Sequence, residues 1–390
     1  MLAHQLDFDP ARDLEIFNSI PAAPAVFRLS APDSQAEPYI SKTANLRRRL
    51  QRLLGAPTGQ SKKLNLRDRV RAIQYTPTGS DFESTFLLYR ELRTAFPEAY
   101  SARLRLRFAP LVKLHLDNEY PRASITTRLG RLKGRSLYYG PFLSRTAAEK
   151  FANDSLDFFK MRRCVDDLHP DPQFPGCIYS EMKMCLAPCF KGCSDDEYRA
   201  EVTRVQSYFD SRGESLLGEV ASSRDRVSES LEFEAAAALH ARLEKIKPVA
   251  ASLPEIVRRI DLLSALVIQR SAAPESVAFF RIEGGCLNGP LVFSVPPAEH
   301  TRSQSMEARV EATLAGFKPS TRTSLETMEH LALLKRWYYR SSRVGEIFFA
   351  DSKGVLPLRR IVRGIARIYK GEKPPPEAGV GLQAEEAKEL

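Results

Sequence analysis

Five cysteines fall within thirty residues of one another: Cys164, Cys177, Cys185, Cys189 and Cys193. The first four are spaced C-x12-C-x7-C-x3-C, and Cys193 follows four residues later. Thiols at this density in a chain without a secretory signal suit a metal centre better than disulfides. Pro188 and Gly192 can bend the backbone so that the thiolates converge. Spacing alone leaves zinc and an iron–sulfur cluster both open, because either accepts four thiolates. Cys286 lies far from the group and reads as a core cysteine. A second chemistry is written in charge. Ten Lys or Arg residues between Ser41 and Arg71 face one acid, Asp68, and nine between Arg103 and Arg135 face Asp117 and Glu119. The whole chain carries only +10, so positive charge is concentrated in its first third. Such a surface attracts a polyanion, since neutralised phosphates release counterions.

Composition sets the class. The chain has 390 residues, 43% hydrophobic and 27% charged, which predicts several domains of an ordinary globular protein. No stretch approaches the roughly 20 apolar residues that span a bilayer. The opening MLAHQLDFDPARD lacks the basic and apolar regions of a secretory signal. A cytoplasmic protein with no membrane partner is expected.

The elements that would position these groups follow from periodicity. Residues 17–105 read as a small mixed domain. Two short strands, Pro24 to Leu29 and Glu37 to Ser41, flank the turn-rich APDSQ. A helix over Ala44–Leu54 follows, with Leu46, Leu50, Leu53 and Leu54 on one side and Gly55 as its stop. A second helix starts at the capping box Ser80-x-x-Glu83 and carries Phe82, Phe86, Tyr89, Leu92 and Phe96 as its apolar stripe. Residues 106–198 read as strand-rich (LVKLHL, SITTRL, SLYYGPF), then a helix, then the cysteine-rich loop. Residues 195–247 read as two charged helices pausing near Ser211–Gly213, and 199–248 is taken as a helical hairpin. Residues 249–370 form a further α/β domain of unassigned role, and the Pro-rich segment 371–390 is expected to be disordered. The predicted class is α+β.

Three stretches, in order, resemble the bacterial UvrC excinuclease family. AVFRLSAPDSQAEPYISKTANLRRRL is similar to the opening of a GIY-YIG nuclease. YYGPFLSRTAAEKFANDSLDFFKMRRC, leading into CIYSEMKMCLAPC, resembles the family's cysteine-rich region. SLEFEAAAALHARLEKI resembles the UVR motif that meets UvrB. Together they cover about residues 17–250, and the resemblance extends to the N-terminal portion of UvrC, without its RNase H-like and helix-hairpin-helix domains.

What the resemblance implies is specific. Tyr39, Lys42 and Arg49 match the catalytic tyrosine and the phosphate-steering basic pair, and Lys42 and Arg49 are expected on one helical face. Arg47, Arg48 and Arg52 add DNA-binding charge around it. Other positions depart from the motif. Phe27 stands at the family's first tyrosine, and Ala25 and Ser41 at its glycines. Leu88 stands where the Mg²⁺- or Mn²⁺-binding glutamate belongs, and Tyr100 at an expected asparagine. Leucine binds no cation, so a metal would be held only if another acid such as Glu91 replaced it. The resemblance further implies an iron–sulfur cluster on Cys164, Cys177, Cys185 and Cys189, with zinc as the alternative. It also implies a UvrB-like helicase partner docking near Phe233, Ala236 and Ala237. The expected function is a nucleotide-excision-repair protein of the SOS-response type that binds DNA and a UvrB-type partner, its incision activity weakened or lost. The alternatives are an active single-incision endonuclease resembling Cho, and a GIY-YIG-derived scaffold with no repair role.

Overall fold

The structure is a computed structural model that describes residues 2–33, 36–56, 64–130, 134–165, 167–296, 304–318 and 323–372. The expected disordered tail falls, from residue 373 on, outside the described residues, as do Lys62, Lys63, Arg131 and Lys133 of the two basic stretches. The fold is α+β, with three four-stranded antiparallel sheets among the described residues.

The first sheet contains β1 (His4–Asp7), β2 (Ala25–Ser30), β3 (Tyr39–Thr43) and β4 (Ala72–Pro77), in the order β1-β4-β2-β3. It therefore recruits a strand from ahead of the boundary expected at residue 17. On one face lie α1 (Asp13–Ser19) and α2 (Leu46–Leu54). Alternation along β2 sends Phe27 and Leu29 to that side, where they meet Phe17, Leu46, Leu50, Leu53 and Ile73 in a small separate core. Helix α2 starts later than its leucine spacing suggests because the Asn45 side chain accepts the Arg48 N–H, 3.0 Å away, and caps it there. Lys42 is thus a strand residue, and the expected shared helical face with Arg49 does not exist.

Helix α3 (Asp81–Ala95) covers the other face but belongs mostly elsewhere. Ser80 caps it by accepting the Glu83 N–H at 3.1 Å, while the Glu83 carboxylate accepts the Gly79 N–H at 2.8 Å. Its stripe of Phe82, Phe86, Tyr89 and Leu92 turns away from the first sheet, into the large core that fills the rest of the molecule. The loop before it fits only because residue 79 is glycine. A Cβ there would stand 2.2 Å from the Arg270 carbonyl oxygen.

After α4 (Tyr100–Leu104), the second sheet is built from β5 (Leu111–Leu114), β6 (Ala123–Thr126) and β7 (Leu137–Gly140), packed on α5 (Arg145–Leu156). The cysteine loop with the short α6 (Ile178–Glu181) leads to three helices, α7 (Asp195–Asp210), α8 (Glu214–Glu229) and α9 (Phe233–Ala251). Two were expected. The chain breaks a second time at Ser230–Glu232, where Leu231 adopts φ +62°, so the hairpin is α8–α9, and α7 is tied to α8 through Arg204 and Glu219. The short β8 (Arg258–Arg259) then returns to pair with β7. Arg212 fixes that return by donating to the carbonyls of Leu253, Pro254, Glu255 and Val257.

The third sheet has the order β11-β10-β9-β12, from β9 (Ser264–Arg270), β10 (Ser276–Glu283), β11 (Cys286–Ser294) and β12 (Glu346–Phe349). Helices α10 (Met306–Ala315) and α12 (Leu358–Lys370) cover one face, and α11 (Ser324–Tyr338) with α3 covers the other. Alternation on β9 divides Leu266 and Ile268 from Ala265 and Val267 accordingly. No helix among the described residues is long and apolar enough to cross a membrane.

A methyl group at residue 79 has to displace backbone of β9. Gly79→Ala is expected to cost roughly 1–3 kcal/mol by chemical denaturation, as overpacking does. Amide exchange should rise at residues 79–85 and near Arg270 before it rises elsewhere. Unchanged exchange at both places would show that the loop adjusts freely.

Candidate nucleic-acid interface and cysteine centre

Strand alternation splits the expected catalytic trio. Tyr39 faces the small core beside Phe27, ring centroids 6.0 Å apart, and its hydroxyl accepts Arg49 Nη2 at 2.7 Å. These two are brought together. Lys42 points to the opposite face of β3, where its ammonium donates to Thr85 Oγ1 at 2.7 Å and pairs with Asp81. Asp81 in turn accepts Arg340 Nη1 at 2.6 Å. Burial alone would raise the Asp81 carboxyl, but hydrogen bonds and charge from Lys42 and Arg340 outweigh it, and the net direction is down.

Arg47 is engaged with backbone. It is half-buried and donates to the carbonyls of Ile20 and Asn18, closing the end of α1. Arg48 and Arg52 are exposed, one helical turn apart, and point outward. Phe27 is fully buried, which suits an apolar ring in a tyrosine's place.

On α3, Leu88 is half-buried and packs against the large core. It lies two turns beyond Asp81, on the same side of the helix. Glu91 is set about 60° around the helix axis from Leu88. Tyr100 has a structural use: it donates to the Glu329 carboxylate. Tyr89 donates to the other oxygen at 2.7 Å, and Arg93 bridges Tyr89 and Glu326 at 2.8 and 3.0 Å. Burial, then the Glu329 partner, pushes Tyr100 up to about 12. Beside this cluster His330 accepts the Leu287 N–H at 3.0 Å, and burial with Arg93 and Arg90 pushes it down to about 3. None of Glu329, His330, Asp81 or Arg340 was singled out from the sequence. Only Asp81, directly after the capping Ser80, carried any local signal.

The cysteine loop gathers four thiols loosely. Burial pushes Cys185 up to about 11, the Ala187 N–H counteracts it, and Cys164, Cys189 and Cys177 raise it further. Cys189 is raised by burial and by Cys177 and Cys164. Cys193 has other neighbours, being raised by burial and then by Glu197, Asp195 and Cys189. The chemistry of the four is that of a thiophilic centre with no carboxylate in the set. Arg162, only 2% exposed, places a guanidinium 3.3 Å from the Cys164 sulfur. Among the described residues, however, no three thiols, imidazoles or carboxylates form a group able to hold a metal ion. The loop supplies a donor set without a closed coordination shell.

At the tip of the α8–α9 hairpin, Leu231 and Phe233 are 71% and 67% exposed. Ala237 is exposed and Ala236 half-buried, whereas Leu243 and Ile246 are buried further along α9. The apolar face thus serves the protein's own core only at its far end.

Residues 110–208 match the family model for the UvrC/Cho excinuclease middle domain. The chain is 27% identical over 278 residues to the UvrABC system protein C of Rickettsia bellii (strain RML369-C), covering 70% of this chain and 42% of that protein. It is 25% identical over 294 residues to that of Rickettsia africae (strain ESF-5), with 74% and 44% covered. For Rickettsia felis (strain ATCC VR-1525 / URRWXCal2) the identity is 26% over 276 residues, with 69% and 41% covered. The chain therefore spans less than half the length of these relatives. No solved structure matches it.

His330 must stay neutral where it is buried, so its folded pKa lies below its unfolded value. Stability from this residue is present above about pH 6.5 and is lost as pH falls toward 3. Acidification from about pH 7 to about pH 4 should cost the wild type on the order of 3 kcal/mol more than it costs His330→Gln, by urea titration at each pH. Parallel curves would show that His330 titrates normally.

Proposed function

We propose that this chain, a relative of the UvrC family, is the DNA- and partner-binding part of a nucleotide-excision-repair protein whose GIY-YIG incision activity is weakened or lost. The match of residues 110–208 to the UvrC/Cho middle domain carries this reading. Within the nuclease-like unit, three observations support lost chemistry. Leu88 supplies no carboxylate for Mg²⁺ or Mn²⁺, Lys42 is bound to Asp81 and Thr85, and Tyr39 and Lys42 lie on opposite faces of β3. Arg48 and Arg52 remain outward and suit phosphate contact. The exposed Phe233, with Ala236 and Ala237, suits docking of a UvrB-type helical hairpin. Cys164, Cys177, Cys185 and Cys189 would hold an iron–sulfur cluster, with zinc as the alternative. Either would cross-link the loop to the core through Cys164. The retained Tyr39–Arg49 pair favours a second reading, an active Cho-like single-incision endonuclease.

One assay separates these readings. Full-length protein, purified anaerobically, is mixed with UvrB, damaged duplex and Mg²⁺ or Mn²⁺. Intact DNA in a stable ternary complex is expected, with Phe233→Ala weakening the complex. Arg48→Glu with Arg52→Glu should lower DNA affinity about tenfold or more and flatten its salt dependence. Nicking abolished by Tyr39→Phe would replace the first reading with the second, and no complex at all would defeat both.

The cysteine assignment has its own test. Metal analysis should find iron and sulfide, or zinc, in the wild type. Cys185→Ser should remove most of it while Cys193→Ser does not. Equal retention in both variants would exclude the proposed ligand set.

A further inference from the structure

The first and third sheets meet around a cavity of about 490 Å³ that no role above explains. Its rim bears four cations, Lys42, Arg270, Arg340 and Arg343, against a single carboxylate, Asp81. Its apolar lining is aromatic: Phe82 and Trp337 pack with ring centroids 5.0 Å apart. The Trp337 indole N–H is already donated to Val344, and the Arg343 guanidinium lies over the ring, 5.1 Å from its centroid.

Gln269 of β9 completes the wall. It is 0% exposed, and neither its Nε2 nor its Oε1 has a hydrogen-bond partner among the described residues. An unpaired buried carboxamide is costly, and an apolar residue of similar size would avoid that cost. The neighbouring backbone is nevertheless shaped around it. Gly345 adopts φ +87°, and a Cβ there would lie 2.2 Å from Gln269 Nε2 and 2.5 Å from the Ile268 carbonyl oxygen. A donor and an acceptor side by side on one planar group match the edge of a nucleobase, as Gln does with adenine. Aromatic rings suit a base face, and cations at the mouth suit a phosphate. The volume lies within the usual range of small-molecule sites. An inorganic anion would leave the carboxamide and the rings unused, and an apolar ligand would leave the amide and the cations unused.

We propose that this cavity binds a nucleotide, with the base inward against Gln269 and the phosphate at its cationic rim. The same chemistry has two sources, a free nucleotide or one extruded from a DNA strand. The second rests on the DNA-binding reading above, and the first does not.

The test uses the full chain with two variants. Gln269→Leu removes the carboxamide and keeps the bulk, and Ser342→Trp blocks the mouth from an exposed rim position. The probes are the four deoxynucleoside monophosphates by calorimetry, and a short single strand with its abasic counterpart by fluorescence anisotropy. Both variants are expected to bind mononucleotides about tenfold more weakly. Gln269→Leu should also melt at a higher temperature than wild type when no nucleotide is present. A matching loss on the base-bearing strand, with abasic binding unchanged, assigns the extruded nucleotide. Loss with mononucleotides alone assigns the free one. Unchanged affinity for both probes in both variants overturns the proposal. A wild type that binds no strand defeats the DNA-binding reading, while the mononucleotide titration still decides the cavity.

Discussion

Asp81 stands between two cations from distant parts of the chain, Lys42 of the first sheet and Arg340 beyond the end of α11. Its side chain is 56% exposed, so each ion pair contributes little energy by itself. Its importance is directional. The apolar contacts beneath it, Phe82 on Phe280 and on Trp337, supply the attraction but tolerate sliding. A carboxylate shared by two cations adds a directional contact above them. With Gly79 pressed against β9, it sets one register between the first sheet and the third. The arrangement of everything around the central cavity follows from that register.

This docking bears directly on the unit proposed to be nuclease-like. In a helix that anchors a metal, the face toward the strand would carry a carboxylate two turns past Asp81. Here that position is Leu88, and the face is closed by Lys42, Thr85 and Asp81 hydrogen-bonding to one another. The opposite stripe of α3 is a beam of the main core. A helix with one stripe in the main core and its first turn tied to β3 has little freedom to reposition a catalytic group. Retention of Tyr39 and Arg49 is then explained by their mutual hydrogen bond on the far face of β3. That bond holds strand to helix whether or not a phosphate ever reaches it.

Much of the local structure was legible because it follows period alone. The leucines of α2, the aromatic stripe of α3 and the strands at 111–140 each repeat long enough to declare themselves. Strand β1 did not, being four residues at an exposed edge. The helix break near residue 231 was hidden because Leu231 adopts a left-handed backbone that sequence rarely announces in a leucine. Lys42 and Arg49 were misread as helical neighbours because Asn45, a local cap, starts the helix between them. Least legible were the long-range polar pairs. Tyr89 and Tyr100 meet Glu329 across more than two hundred residues, and no pattern in either segment signals the other.

Those same pairs sharpen the meaning of Gln269. On the side of the third sheet facing α3, the fold buries several polar groups and satisfies them. Glu329 receives two tyrosine hydroxyls, His330 receives the Leu287 N–H, and Thr327 donates to the Thr323 carbonyl. Gln269 lies in the same layer with both amide atoms unpaired, at the wall of a cavity with a cationic mouth. Complementarity to something that fills the cavity accounts for the glutamine and the surplus of positive charge together.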